Sequence, residues 1–439
     1  MISASPARRL LEVRPDERRA LLWSFLYFFF LLTGYYVLRS IREERAVAAG
    51  VANIPWLYTG TFLVMLVVVP LWSALLARVP RRRLLPLVMH FFAADLVVFF
   101  FLFRTQATSL AAARVFFVWT SVFNLLAVSV FWSFMADLFR PEQGKRLFGF
   151  ISVGGSAGAV IGPLVTSTVV ERIGPATLLL LSAALLEAAT ACIGPLLRWQ
   201  RAHPAAEPGP PRSEAQPELI GGGALSGIKL VFASPYLLAI AGYVVLATSS
   251  ATVGYVLQAR LVAGAGMTAA ARTALFARMD LASNVLSSLL QGLVVGRVLT
   301  RFPVGYALAV APPLALLAFA AVATRPTLAV STLVQILRRT VANGLTVPSV
   351  QVLFTAVDRE QKYKSKAFID TVVYRSGDLA GSWGATALLG AGLAESGSAL
   401  VMIPFTLVWL LVTVRLGRRH QRLVEEKTAA PATSTVTVR

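Results

Sequence analysis

FRPEQGKRLFGFISVGGSAGAVIG, residues 139–162, runs from a charged turn straight into an apolar, glycine-rich stretch. DREQKYKSKAFIDTVVYRSGDLAGSWGA, residues 358–385, does the same. Gly154, Gly158 and Gly162 recur every four residues, and Gly377 and Gly381 share that spacing. Four residues is about one helical turn, so each set lies on one face, where small side chains let helix backbones approach closely. A fixed packing contact and a sliding surface between moving halves would use the same glycines. A second pair supports duplication: LLARVPRRR (75–83) and GLVVGRVLTR (292–301) carry Arg78 and Arg82, and Arg297 and Arg301, at matching spacing.

Around these segments the chain is built for hydrocarbon. It has 439 residues, 56% hydrophobic and 14% charged, with a mean hydropathy of +0.70. A soluble protein carries about 25% charged residues. Apolar runs of roughly 20 residues recur, enough to cross a ~30 Å layer, and no alternating ~10-residue pattern suggests a barrel. The expected fold is an all-α membrane protein of twelve transmembrane helices. They fall near 21–38, 56–77, 84–103, 111–136, 147–170, 176–197, 236–258, 273–299, 304–323, 327–356, 366–392 and 397–416. The first is longer than a signal-peptide core and no small-residue cleavage site comes after it, so it stays as a helix. The Pro- and Ala-rich run HPAAEPGPPRSEAQPE (203–218) reads as a flexible linker. The domains are then a tail at 1–20, a six-helix bundle at 21–198, a linker at 199–228, a second bundle at 229–417 and a basic tail at 418–439.

The net charge of +20 raises nucleic acid as a partner, but its distribution excludes it. Most of the Lys and Arg fall in the even-numbered loops and the two termini, which places these on the cytoplasmic side of a plasma (inner) membrane. Cys192 is the single cysteine, and His90, His203 and His420 are scattered. No metal-ligand spacing, paired catalytic residues or phosphate loop appears. No metal, cofactor or enzymatic activity is expected, and the expected partners are the lipid bilayer and a small solute bound by a monomer.

The polar residues inside the spans carry the functional signal. LVQILRRTVANG (333–344) places Arg338 and Arg339 roughly 17 Å into span ten, at about 1.5 Å per residue. A central arginine costs about 2.5–3.5 kcal/mol on the translocon scale, so water, a carboxylate or an anionic ligand must offset it. Ser331, Gln335, Arg339 and Asn343 recur every four residues, with Thr346 next, as one stripe. Asp280, Asn284, Ser287 and Gln291 form a second, and Asp370, Tyr374 and Asp378, beside Arg375, a third. Arg339, Arg338, Arg39, Asn343 and Gln335 are the candidate substrate-binding residues. Lys145, Arg146, Lys364, Lys366, Asp370, Arg375, Asp378, Asp280 and Asn284 are candidates for a cavity or vestibule. Arg278 and Arg375 equally suit helix-locking pairs with Asp280, Asp370 or Asp378. Asp95 and Glu187, isolated intramembrane carboxylates, suit either capping or proton relay. YYVLRSIREER (35–45) reads as an interfacial anchor, except that Arg39 closes an apolar helix.

Two six-helix repeats joined by a linker resemble the architecture of the major facilitator superfamily, whose substrate sites lie near the membrane midplane. The loops after spans two and eight resemble that superfamily's signature but depart from it at Ala77, where an aspartate would be usual. Within that fold the chain resembles the ATP/ADP translocase, or NTP/NDP exchange transporter, family in its short bacterial branch. YYVLRSIREER with IPWLYTGTF (54–62), VFWSFMADLFRPEQGKRLFGFISVGGSAGAVIGP (130–163) and LFTAVDREQKYKSKAFIDTVVYRSGDLAGS (353–382) carry the resemblance. It implies nucleotide exchange, with Lys364, Lys366 and Asp370 as the loop-ten charges and Lys145 and Arg146 as those before span five. The family usually reads Gly-Lys-Ser after the position of Arg375; here Ser376, Gly377 and Asp378 stand, and Asp378 removes a phosphate-binding cation. The expected function is secondary active exchange of nucleotides or other phosphorylated anions by alternating access. The alternatives are a carrier for drugs, peptides or carboxylates, proton-coupled through Asp95 or Glu187, and a non-transporting membrane scaffold or sensor.

Overall fold

The computed structural model of the chain describes residues 13–79, 81–105, 109–203 and 224–429. Arg8, Arg9, residues 204–223 of the expected linker and the last ten residues lie outside them. Every regular element among the described residues is helical. Nine stretches are long and apolar enough to cross a membrane. This is a multi-pass all-α membrane fold, and its count differs from the twelve spans expected, for two physical reasons. Pro141–Ala202 runs as one stretch of 62 residues where two spans were expected, yet it breaks at Gly174, whose φ of 78° and ψ of 158° precede Pro175. Only glycine adopts that backbone readily, and a residue before proline is driven out of the helical region. The helical segments over 328–353 and 359–390, expected as spans ten and eleven, carry Arg338, Arg339, Asp370, Arg375 and Asp378 and fall outside the nine.

The chain divides into two compact units, Met1–Leu219 with Ala259–Val285, and Ile220–Gln258 with Leu286–Arg439. Residues 259–285, expected in the second bundle, thus group with the first. The first unit contains α1 (Arg18–Ala48), α2 (Ile54–Arg78), α3 (Arg81–Thr105), α4 (Leu110–Leu138), α5 (Pro141–Ala191) and α6 (Ile193–Ala202). Next come α7 (Ala224–Ala233), α8 (Pro235–Gly264) and α9 (Ala269–Leu290), the last two split by the unit boundaries. The rest of the second unit holds α10 (Gly296–Arg301), α11 (Val304–Leu308), α12 (Ala311–Thr324), α13 (Leu328–Val341), α14 (Val347–Leu353), α15 (Arg359–Phe368), α16 (Tyr374–Gly390) and α17 (Glu395–Ala429).

Local chemistry sets several starts. Ser109 and Thr327 accept the amides of Ala112 and Val330 through their side chains, capping α4 and α13. Pro141 opens α5, where its missing N–H costs nothing.

The glycine faces seen in the sequence are the tightest helix contacts in both units. In the first, α5 lies on α1. A Cβ at Gly154, Gly158 or Gly162 would fall 2.5, 2.5 or 2.7 Å from the carbonyl oxygens of Phe25, Phe29 and Thr33. In the second, α16 lies on α8, where a Cβ at Gly381 would fall 2.5 Å from the Ser249 carbonyl oxygen. Ser249 Oγ donates to the Gly377 carbonyl at 3.0 Å across the same seam. Aromatic rings fill the first unit's core: Phe28 stacks on Phe131 with centroids 4.3 Å apart, and Trp119 on Phe123 at 5.4 Å.

The second unit differs in containing three π-helical turns, at 291–295, 342–346 and 369–373. Such a turn inserts a residue into the helical register and re-aims the side chains beyond it, and it is common at functional sites.

Candidate functional site

The second unit holds a partly open cavity of about 390 Å³. α8 contributes Tyr243, Thr248 and Ser250; α13 contributes Arg338; α17 contributes Trp409. Two π turns supply most of the remaining polar wall, Asn343 and Thr346 from one and Asp370 from the other, with Tyr374 next to it, and α14 adds Gln351. Val244, Ala247, Ala251, Leu314, Val341 and Val350 make the rest apolar. The volume lies within the ~300–1,000 Å³ typical of small-molecule sites.

One fixed cation faces this space. Arg338 Nε donates to Gln335 Oε1 at 2.7 Å, a helical i, i+3 bond that holds the guanidinium against its own helix. Asn343 is held through its backbone, since Gln291 Nε2 donates to the Asn343 carbonyl at 2.9 Å. Trp409 Nε1 and Ser250 Oγ are among the buried wall groups that lack a described hydrogen-bond partner. Gln335, Ser331, Ser250 and Arg338 also border a separate void of about 20 Å³, room for about one water.

The other candidate residues fall in distinct places. Ser331, Gln335 and Arg339 are buried on one face of α13, as their period requires, and Arg338 rather than Arg339 lines the cavity. Arg375 Nη1 lies 3.2 Å from Asp378 Oδ2, and Thr252 Oγ1 donates to Asp378 Oδ1 at 3.0 Å, so Asp378 ties α16 to α8. Lys364 and Lys366 are half-buried on α15.

In the first unit, Arg39 Nε lies 3.4 Å from Asp280 Oδ2. Asn284 Nδ2 donates to the Ala159 carbonyl at 2.7 Å. The rest of YYVLRSIREER is buried charge rather than an interfacial anchor. Arg272 reaches Glu44 at 2.6 Å, Arg42 pairs with Glu43, and Arg42 and Arg45 lie over the rings of Phe117 and Phe103. Buried charges need such partners because desolvation is costly. Arg278 approaches Glu171 at 3.7 Å, both exposed, instead of an aspartate. Asp95 accepts from Trp119 Nε1 at 2.8 Å, and Glu187 meets His90 Nδ1 at 2.9 Å.

At the entry to α5, Lys145 is exposed and Arg146 Nη2 binds Glu17 Oε1 at 2.7 Å. Burial raises the Glu17 pKa, and the bonds from Arg146, Gln143 and the Arg14 amide more than offset it, leaving the carboxyl below its usual range.

The sequence reading missed Tyr243, Thr248, Ser250, Gln351 and Trp409 in the cavity wall. Thr248, Ser249, Ser250 and Thr252 form a polar cluster inside the apolar α8 and were a legible signal. Trp409, alone in an apolar helix, gave none.

Comparison with protein families matches residues 20–374 to the Major Facilitator Superfamily. No curated protein matches the chain. Among solved structures, a mutant of the nucleoside transporter NupG aligns with a TM-score of 0.61 at 13% identity, over 92% of this chain and 99% of that one. An auto-inhibited POT family peptide transporter aligns at 0.61 and 15% identity, over 92% and 97%. A bacterial homologue of the iron transporter ferroportin, inward-facing, aligns at 0.60 and 13% identity, over 94% and 99%. At these identities the structures share the fold alone, and their three different cargoes leave the substrate open.

Proposed function

Because the chain belongs to the Major Facilitator Superfamily, and so is a carrier rather than an enzyme, we propose that it moves a small organic solute bearing an anionic group by alternating access, with the solute bound in the second unit's cavity. One observation supports this reading most: Arg338 borders a space of about 390 Å³ also walled by Tyr243, Tyr374 and Trp409. An arginine fork pairs with a carboxylate or phosphate, and aromatic walls suit a flat apolar body. Arg339, Gln335 and Asn343 then hold and flank the cation rather than bind independently.

The test is uptake by proteoliposomes, comparing labelled aromatic carboxylates with labelled nucleotides. Arg338→Gln is expected to cut uptake of the anionic solute at least about tenfold, the value of a charge-assisted hydrogen bond, while the melting temperature holds. Unchanged uptake removes Arg338 from the site.

A second reading, nucleotide or other phosphorylated-anion exchange, draws on the segments resembling the ATP/ADP translocases. Lys364, Lys366 and Asp370 precede a glycine-rich helix as that family's loop does. Against it, Asp370 and Asp378 stand where a polyphosphate would want cations. Counterflow of labelled ATP against internal ADP would establish it, and its absence with every nucleotide tried would end it. The twelve-span topology, with both termini cytoplasmic in a plasma (inner) membrane, belongs to the same proposal and is testable by cysteine accessibility at the two ends.

A further inference from the structure

The cavity wall carries charges of both signs. Arg338 and Asp370 border the same partly open cavity, and Asp370 arrives on a π turn that re-aims it out of the regular register of its helix. A purely anionic solute there is drawn by one group and repelled by the other, and a purely cationic one meets the reverse. A solute carrying both charges meets a partner for each.

We propose that the cavity selects a dipolar solute, with Arg338 receiving a carboxylate-like group, Asp370 an ammonium-like group and the Tyr243, Tyr374 and Trp409 rings the apolar remainder. The proposal rests on the cavity being the solute site and adds a second pole to it. It also gives Asp370 a role in selection that a loop charge would lack.

Melting of the purified full chain in detergent tests it with three matched probes: phenylalanine, N-acetylphenylalanine and phenylalanine methyl ester. They share one ring and differ only in which charges they carry. Phenylalanine is expected to raise the melting temperature most. Asp370→Asn should erase its advantage over the N-acetyl anion, and Arg338→Gln its advantage over the ester, each weakening phenylalanine binding by about tenfold or more. Asp370→Glu and Arg338→Lys keep the charges and should keep the preference, which separates recognition from misfolding. If N-acetylphenylalanine stabilises as strongly as phenylalanine and Asp370→Asn changes nothing, the site is anion-only and the dipolar assignment falls while the transport reading stands. If the ester does so, Arg338 is not a binding pole. If none of the three stabilises and Arg338→Gln leaves uptake of all anions intact, both the inference and the site fall.

Discussion

The two units use the same glycine seam for opposite ends. On α5 and α16 alike, small residues bring a helix onto carbonyl oxygens of its neighbour, at Phe29 in one unit and Ser249 in the other. Beyond that seam they diverge. The first unit closes its polar residues into pairs, Arg39 with Asp280 and Arg272 with Glu44. The second interrupts its helices with π turns, and two of the three place side chains in a cavity. Matched scaffolds thus differ in where they put charge: the first pairs Arg39 and Arg272 with carboxylates on distant segments, and the second brings Arg338 and Asp370 to a cavity wall. Substitutions that strike one unit and not the other are the way to test this division.

The largest effect is expected at the seam. Gly158→Leu drives a side chain into the Phe29 carbonyl, an obstacle that cannot rotate away, and overpacking of this kind costs about 1–3 kcal/mol or more. The expected outcome is loss of monodisperse protein by size-exclusion chromatography, with Gly381→Leu failing in the same way. If only one of them fails, the seams are not equivalent. Next comes the Arg39–Asp280 pair. Asp280→Asn strands a buried guanidinium at a cost of about 3 kcal/mol, read as a lowered melting temperature. Pairing it with Arg39→Met should recover part of that loss. A double variant no better than Asp280→Asn alone would show that the two side chains do not stabilise each other.

Trp409→Phe sharpens the contrast from the other side. It replaces the indole bordering the cavity with a smaller phenyl ring, so binding of the transported solute should weaken several-fold, and because Trp409 is buried in the second unit's core the melting temperature without ligand should fall slightly too. Unchanged binding with a lowered melting temperature would place Trp409 in the scaffold alone.

Legibility in the sequence divides along the same line. The glycine faces were readable because four-residue spacing survives in a regular helix. Ser331, Gln335 and Arg339 were also placed on one face, and all three are buried there. The neighbouring residue, about 100° round the helix, borders the cavity, and periodicity gives no means of ranking two adjacent arginines. The same stripe ran on to Asn343, which is exposed. The π turn at 342–346 adds a residue to the register just there, and an inserted residue leaves no mark in a four-residue count. YYVLRSIREER read as an anchor because its partners Arg272 and Asp280 lie more than 200 residues away, beyond any local pattern. The nine apolar spans stood out in composition, whereas the two stretches bearing the cavity's charged residues fell outside that set because those polar residues lower their hydropathy.

The smallest effect concerns the charged turn that opens α5, where Glu17 accepts from Arg146 and Gln143. Its carboxyl ionises more readily folded than unfolded, so its contribution is full above the ordinary value of 4.5 and is lost as pH falls through the lowered folded value. Glu17→Gln keeps an acceptor and removes the charge, so at pH 7 it should cost under about 1 kcal/mol. The gap in melting temperature between the variant and the parent should be present at pH 7, narrow below pH 4.5 and close as the parent's carboxyl protonates. A gap that stays constant down to the acid limit would mean that Glu17 acts through shape alone. The first unit's habit of closing its charges into pairs would then not extend to this end of α1.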